Sequence, residues 1–85
     1  MDKVLVEIYC AASGKNYEFL LPGKMKVKTA IKKLMEQIIS AEENEDLFPN
    51  PQNCLLADRD SREILNDSFT LEQAGVIGGN RLILV

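Results

Sequence analysis

Residues 3–10, KVLVEIYC, alternate in polarity, with Val4, Val6, Ile8 and Cys10 on one face and Lys3, Leu5, Glu7 and Tyr9 on the other. A period of two with β-branched enrichment predicts a strand. Ala11 to Lys15, containing Gly14, supplies a turn, and NYEFLL over residues 16–21 alternates again with Tyr17, Phe19 and Leu21 on one side. The two runs predict a β-hairpin, closed by Pro22-Gly23. From Val27 the period changes. Val27, Ala30, Ile31, Leu34, Met35, Ile38 and Ile39 follow the i, i+3, i+4, i+7 spacing of an amphipathic helix that runs to about Ser40 or Glu43. No N-cap residue marks its start. Its lysines come early and its glutamates late, against the helix dipole, at about 0.3–1 kcal/mol for each exposed charge. Burial of the apolar stripe outweighs that cost.

Asn44 to Asn53, with Pro49 and Pro51, reads as an irregular loop whose Leu47-Phe48 tuck against the core. Cys54 to Ala57 predicts a short strand, Asp58 to Arg62 a charged turn, and Glu63 to Leu65 a brief extended piece. Thr70-Leu71-Glu72-Gln73 has capping-box form, and Gly75 suits a left-handed C-cap. Gly78-Gly79-Asn80 forms a turn before a final strand, Arg81 to Val85. The order strand, strand, helix, strand, short strand, helical turn, strand predicts an α+β fold with one helix across one mixed sheet. No repeat or linker interrupts it, and 85 residues fit a single domain over 1–85.

Composition narrows the function. With 46% hydrophobic and 27% charged residues the chain is an ordinary folded, soluble protein. Histidine is absent, which removes the commonest general base and the commonest metal ligand. No enzyme activity, cofactor or metal is expected. A net charge of -3 weighs against nucleic acid as partner. No apolar stretch approaches the ~20 residues of a membrane span, so no direct membrane insertion is expected. Glu7 interrupts the one run that could resemble a signal peptide. The expected location is cytoplasmic, and Cys10 and Cys54 read as core hydrophobes of a reducing compartment. Gly75 to Gly79 precedes a strand instead of opening a helix, so it reads as turn chemistry and not as a phosphate loop. Asp58, Asp60 and Glu63 are interleaved with Arg59 and Arg62, which reads as a solvated turn, not a calcium loop.

The hairpin, the helix and the tail Leu55-Leu56-Ala57 … Ile64-Leu65 … Thr70-Leu71-Glu72-Gln73-Ala74-Gly75-Val76 … Gly79-Asn80-Arg81-Leu82-Ile83-Leu84 together resemble the ubiquitin-like β-grasp fold over nearly the whole chain. Asp67 to Leu84 is the most specific part, because ubiquitin-like proteins carry T-L-x-x-x-x-I/V before their last strand. The compact length, the Leu-x-x-x-Gly-Val pattern of Leu71 to Val76 and the Gly-Asn-Arg-Leu-Ile-Leu ending resemble the small bacterial YukD/EsaB proteins. Those are encoded with the type VII (WXG100, ESX-like) secretion machinery, one membrane component of which carries related ubiquitin-like domains. Modifiers and sulfur carriers of the class act through a flexible C-terminal Gly-Gly. Here Gly78-Gly79 lies upstream of the last predicted strand, and the sequence ends on Leu84-Val85. The resemblance therefore implies a domain that binds without being conjugated. A carrier acting through its C-terminus, or a generic ubiquitin-like adaptor, is the alternative.

The resemblance also implies a mixed sheet of order 2-1-5-3-4. Cys10 and Cys54 then lie two strands apart, about 9–10 Å, too far for a disulfide. Alternation sends Leu5, Tyr9, Leu55, Ile83 and Val85 to the face away from the helix. The strand order makes Leu5, Leu55 and Ile83 a contiguous apolar patch, a candidate protein-binding surface. Cover by the loop at Leu47-Phe48 or by a second copy is the competing expectation. Lys24, Lys26, Lys28, Lys32 and Lys33 form a second, basic surface, read as a solvated helix face or a dock for an acidic protein. The expected partner is a protein of the secretion machinery, either its membrane subunit or its ATPase, or a second copy of the chain. The expected role is accessory or regulatory.

Overall fold

Strand β1 (Lys3–Cys10) pairs antiparallel with β2 (Lys15–Pro22) along their full lengths, from Lys3↔Pro22 to Cys10↔Lys15, in a computed structural model that describes residues 3–85. The alternation is realised as expected. Val6, Ile8 and Cys10 are buried on one face, and Leu21 joins them from β2.

Helix α1 (Val27–Glu42) crosses that face and buries Val27, Ala30, Ile31, Leu34 and Ile38. No side chain caps its start. The orphan donors of the first turn are instead met by a distant loop: the Val27 N–H donates to the Phe69 carbonyl at 2.8 Å and the Lys28 N–H to that of Asp67 at 3.2 Å. Tertiary contact replaces the missing cap signal. At the other end Glu43 adopts φ 53, ψ 40, and the Asn44 N–H closes back on the Ile39 carbonyl at 3.2 Å. A non-glycine residue in this left-handed conformation carries a steric cost, and an acid at a helix C-terminus opposes the dipole. Glu43→Gly is therefore expected to stabilise the protein by about 1 kcal/mol, read as a higher urea midpoint at unchanged slope.

Strands β3 (Leu56–Asp58) and β4 (Arg81–Leu84) complete a four-stranded sheet of order β2-β1-β4-β3, with β4 parallel to β1 and antiparallel to β3. The predicted order 2-1-5-3-4 is kept, but its fourth member shrinks to one bridge, Ala57↔Ile64, on the outer edge of β3. The turn between them is the reason. Asp58 Oδ1 accepts the N–H groups of Asp60 and Ser61 at 2.8 and 3.1 Å, and Arg62 takes a left-handed φ of 65. The bridge consists of two bonds, from the Asp58 N–H to the Glu63 carbonyl at 2.9 Å and from the Leu65 N–H to the Leu56 carbonyl at 2.8 Å, before the chain turns away at Asn66. Strand β3 also sits later than Cys54–Ala57, although Leu55 and Val85 still exchange two backbone bonds of 2.7 and 2.9 Å.

The capping box forms as expected. Thr70 N–H donates to Gln73 Oε1 at 2.8 Å, and Gln73 N–H to Thr70 Oγ1 at 3.0 Å. Gly75, at φ 82, then ends the turn: its N–H reaches the Glu72 carbonyl and that of Val76 reaches Leu71, a Schellman closure with buried Leu71 and Val76 in contact positions. Leu47, Phe48 and Cys54 pack partly buried against the main core. Both cysteines are free, and burial pushes the Cys54 thiol upward, so it stays protonated.

A polar clasp joins the hairpin turn to the end of α1. Glu42 receives Lys15 Nζ at 2.7 Å on Oε1 and the Tyr17 hydroxyl at 2.9 Å on Oε2, while Ser13 Oγ lies 2.8 Å from that hydroxyl. These two donors hold the Glu42 carboxyl below the ordinary glutamate range, Lys15 first and Tyr17 second. A carboxyl with a depressed folded-state pKa contributes stability that is present above its unfolded value and lost as pH falls through its folded one. Glu42→Gln is expected to lower stability at neutral pH and to flatten its decline below about pH 4.5. Urea titrations across the acid range read both effects.

Candidate protein-interaction surface

The face of the sheet opposite α1 is organised in cross-strand rows, because side chains directly opposite one another on paired strands project side by side. Tyr9, Ile83 and Ala57 form one row through the pairs Tyr9↔Ile83 and Ala57↔Ile83. Leu55 and Val85, joined by their two backbone bonds, form the next. Leu55 and Val85 are exposed and Ile83 and Tyr9 half-buried. Four of the five expected contact residues are thus brought together.

Leu5 is not among them. It pairs with Leu20 at the opposite end of the hairpin, four residues and about 13 Å along β1 from Tyr9. Between them runs a charged row set by Glu7↔Glu18 and Glu7↔Arg81, which Arg59 extends by donating its N–H to the Arg81 carbonyl. The contiguous Leu5–Leu55–Ile83 patch is therefore corrected to two apolar spots, Leu5 with Leu20 and the Tyr9–Ile83–Leu55–Val85 group. Alternation fixes which face a residue takes. It says nothing of the parallel register between β1 and β4, and that register separates the spots.

Arg59 is the residue that the sequence reading missed. Its guanidinium lies 5.6 Å from the centre of the Tyr9 ring, 3.8 Å from Glu7 Oε1, and donates to Asn16 Oδ1 at 3.3 Å. It braces the charged row across the sheet and covers one side of Tyr9, with about 0.5–1 kcal/mol from the cation–π contact. Arg81 turns the other way, to Asp60 at 2.8 Å. The loop that could have covered this face sits at its end, where Leu47, Phe48 and Ala12 border Val85 in a shallow cleft.

The five lysines of the basic surface are all exposed, and none makes an ion pair among the described residues. They do not form one patch. Lys28 and Lys32 share a helix stripe, Lys24 and Lys26 precede the helix, and Lys33 lies about 140° around it from Lys28. At the far end of α1, Glu36, Glu43, Glu45 and Asp46 surround an open hollow.

This arrangement, a hairpin, a crossing helix and a β4 strand inserted parallel to β1, is the ubiquitin-like β-grasp fold. Among solved structures the chain is similar to the EccD5 ubiquitin-like domain from Mycobacterium xenopi, with a TM-score of 0.79, 18% identity, and 100% of this chain and 94% of that one covered. It is similar to the ubiquitin-like domain of the Mycobacterium tuberculosis type VII secretion system protein EccD1, with a TM-score of 0.72, 22% identity, and 100% and 99% covered. Ubiquitin of Caldiarchaeum subterraneum matches at a TM-score of 0.69 and 20% identity, over 96% of this chain and 90% of that one. No family model and no curated protein matches the sequence. Among the described residues no helix is long and apolar enough to cross a membrane.

Proposed function

We propose that the chain is a non-catalytic ubiquitin-like interaction domain, an accessory or regulatory component of a bacterial type VII secretion system of the YukD/EsaB kind. The observation that carries this reading is the end-to-end structural likeness to EccD-type ubiquitin-like domains, at TM-scores of 0.79 and 0.72. The outer sheet face supports it from the residue side. Tyr9, Ile83, Leu55 and Val85 offer an apolar group beside a charged row, the pattern of an anchor with a polar rim. The partner is a protein subunit of the secretion machinery, met in the cytoplasm.

Affinity capture from a bacterium that carries both the chain and a type VII locus tests the proposal. The native protein is expected to retain a secretion subunit, and Leu55→Asp to retain little of it while keeping a native circular dichroism spectrum. Equal retention by Leu55→Asp contradicts the assignment of the face. Absence of any secretion subunit contradicts the assignment of the pathway.

A further inference from the structure

On the opposite side of the molecule a groove of about 560 Å³ lies between α1 and the 3-10 turn Pro51–Asn53. Its helix wall is the stripe Lys28, Ile31, Lys32 and Met35, and its other wall is formed by Gln52 and Cys54, with Asp67 at one end. The floor is apolar: Ile31 is buried, and Met35 and Cys54 are half-buried against the core. Methionine and a neutral thiol are soft, adaptable surfaces for an incoming side chain. The rim is cationic, since Lys28 and Lys32 point to solvent with no ion-pair partner among the described residues.

Two features fix the chemistry of an occupant. The first two backbone N–H groups of α1, those of Val27 and Lys28, are already bound to the Phe69 and Asp67 carbonyls and are not free to hold an anion. Selection of charge falls to side chains, with Lys28 and Lys32 along the helix wall outnumbering the single carboxylate, Asp67, at one end. The charge also has a direction, with Lys24, Lys26, Lys28 and Lys32 towards the start of α1 and Glu36, Glu43, Glu45 and Asp46 towards its end. Within a Debye length of about 8–10 Å these local charges outweigh the net charge of the chain.

We infer that this groove is a second docking site, taking an acidic peptide segment that seats one apolar side chain on Ile31 and Met35 and sets its carboxylates against Lys28 and Lys32. The site is separate from the outer sheet face, so either assignment can fail without the other.

The test is a ¹⁵N NMR titration of the whole chain with a short acetylated peptide of one leucine followed by four glutamates. The same peptide with lysines in place of the glutamates is the comparison. Shifts are expected at Ile31, Lys32, Met35, Gln52 and Cys54, with none at Tyr9 or Ile83 and none from the lysine peptide. Raising salt from low to physiological strength is expected to weaken binding several-fold. The exposed double variant Lys28→Glu/Lys32→Glu is expected to keep its fold and bind about ten-fold or more weakly. Three results would each overturn the inference: no groove shifts at millimolar peptide, equal binding of the lysine peptide, or unchanged affinity in the double variant. Groove shifts that grow with protein concentration alone would assign the site to a second copy of the chain and overturn it as well.

Discussion

Leu34→Ala is expected to lower the unfolding free energy by about 2–5 kcal/mol and the melting temperature by on the order of 10–25 °C. Leu34 lies mid-way along α1, is fully buried, and belongs to the core cluster that joins the helix to Ile8, Leu82 and Leu84. The helix has no side-chain cap at either end and carries neither acids in its first turn nor bases in its last. Its stability comes chiefly from the buried stripe, with the two carbonyls of the 66–70 loop at its start and the Glu42 clasp at its end adding to it. Removing three carbons at the centre of that stripe leaves a cavity that sheet and helix can only partly close. A small domain has total stability near the lower end of about 5–15 kcal/mol, so the loss is a large share of it. Chemical denaturation at unchanged slope checks the prediction. A loss below about 1 kcal/mol would contradict the picture of a helix held by packing.

Ile83→Asp is expected to weaken partner binding roughly 30-fold, a loss of about 2 kcal/mol, whereas Leu5→Asp changes it by less than about three-fold. The contrast follows from the register. Ile83 sits on an inner strand between Tyr9 and Ala57, the position where a buried anchor counts most, and a carboxylate there must be desolvated on binding. Leu5 lies with Leu20 beyond the row of Glu7, Glu18, Arg81 and Arg59. Some loss of stability, about 1 kcal/mol, accompanies Ile83→Asp because an acid is a poor strand former. Melting curves of both variants separate that effect from binding. Equal losses from the two substitutions would show that the apolar spots act as one surface, contrary to the register.

How far the fold could be read in advance depends on how local each signal is. The hairpin, the helix, the Thr70–Gln73 box and the Gly75 closure are written in neighbouring residues, by period, by the reach of one side chain to a nearby N–H, and by one left-handed φ. Each appears where the pattern places it. The exposed face of the sheet was legible for the same reason, since alternation assigns Tyr9, Leu55 and Ile83 to one side. What lay beyond it was long-range. The offset between β1 and β4 that isolates Leu5 joins residues more than seventy positions apart in the chain, Glu7↔Arg81 among them. The caps of α1 come from Asp67 and Phe69, and Arg59 reaches Tyr9 and Asn16 from a turn that reads only as solvated charge. The fourth strand failed through local competition, because Asp58 captures the next N–H groups and Arg62 reverses the chain before a ladder can form.

The most direct test of the central claim, that this ubiquitin-like fold binds a secretion subunit through its outer sheet face, is site-specific photo-crosslinking in cells that carry the secretion locus. A p-benzoylphenylalanine replaces Ile83 in one strain and the exposed helix residue Gln37 in another, and adducts are identified by mass spectrometry. The account predicts one dominant adduct with a secretion subunit from position 83 and none from position 37. Adducts of equal strength from both positions, or an adduct at 83 with no secretion subunit in it, would contradict it.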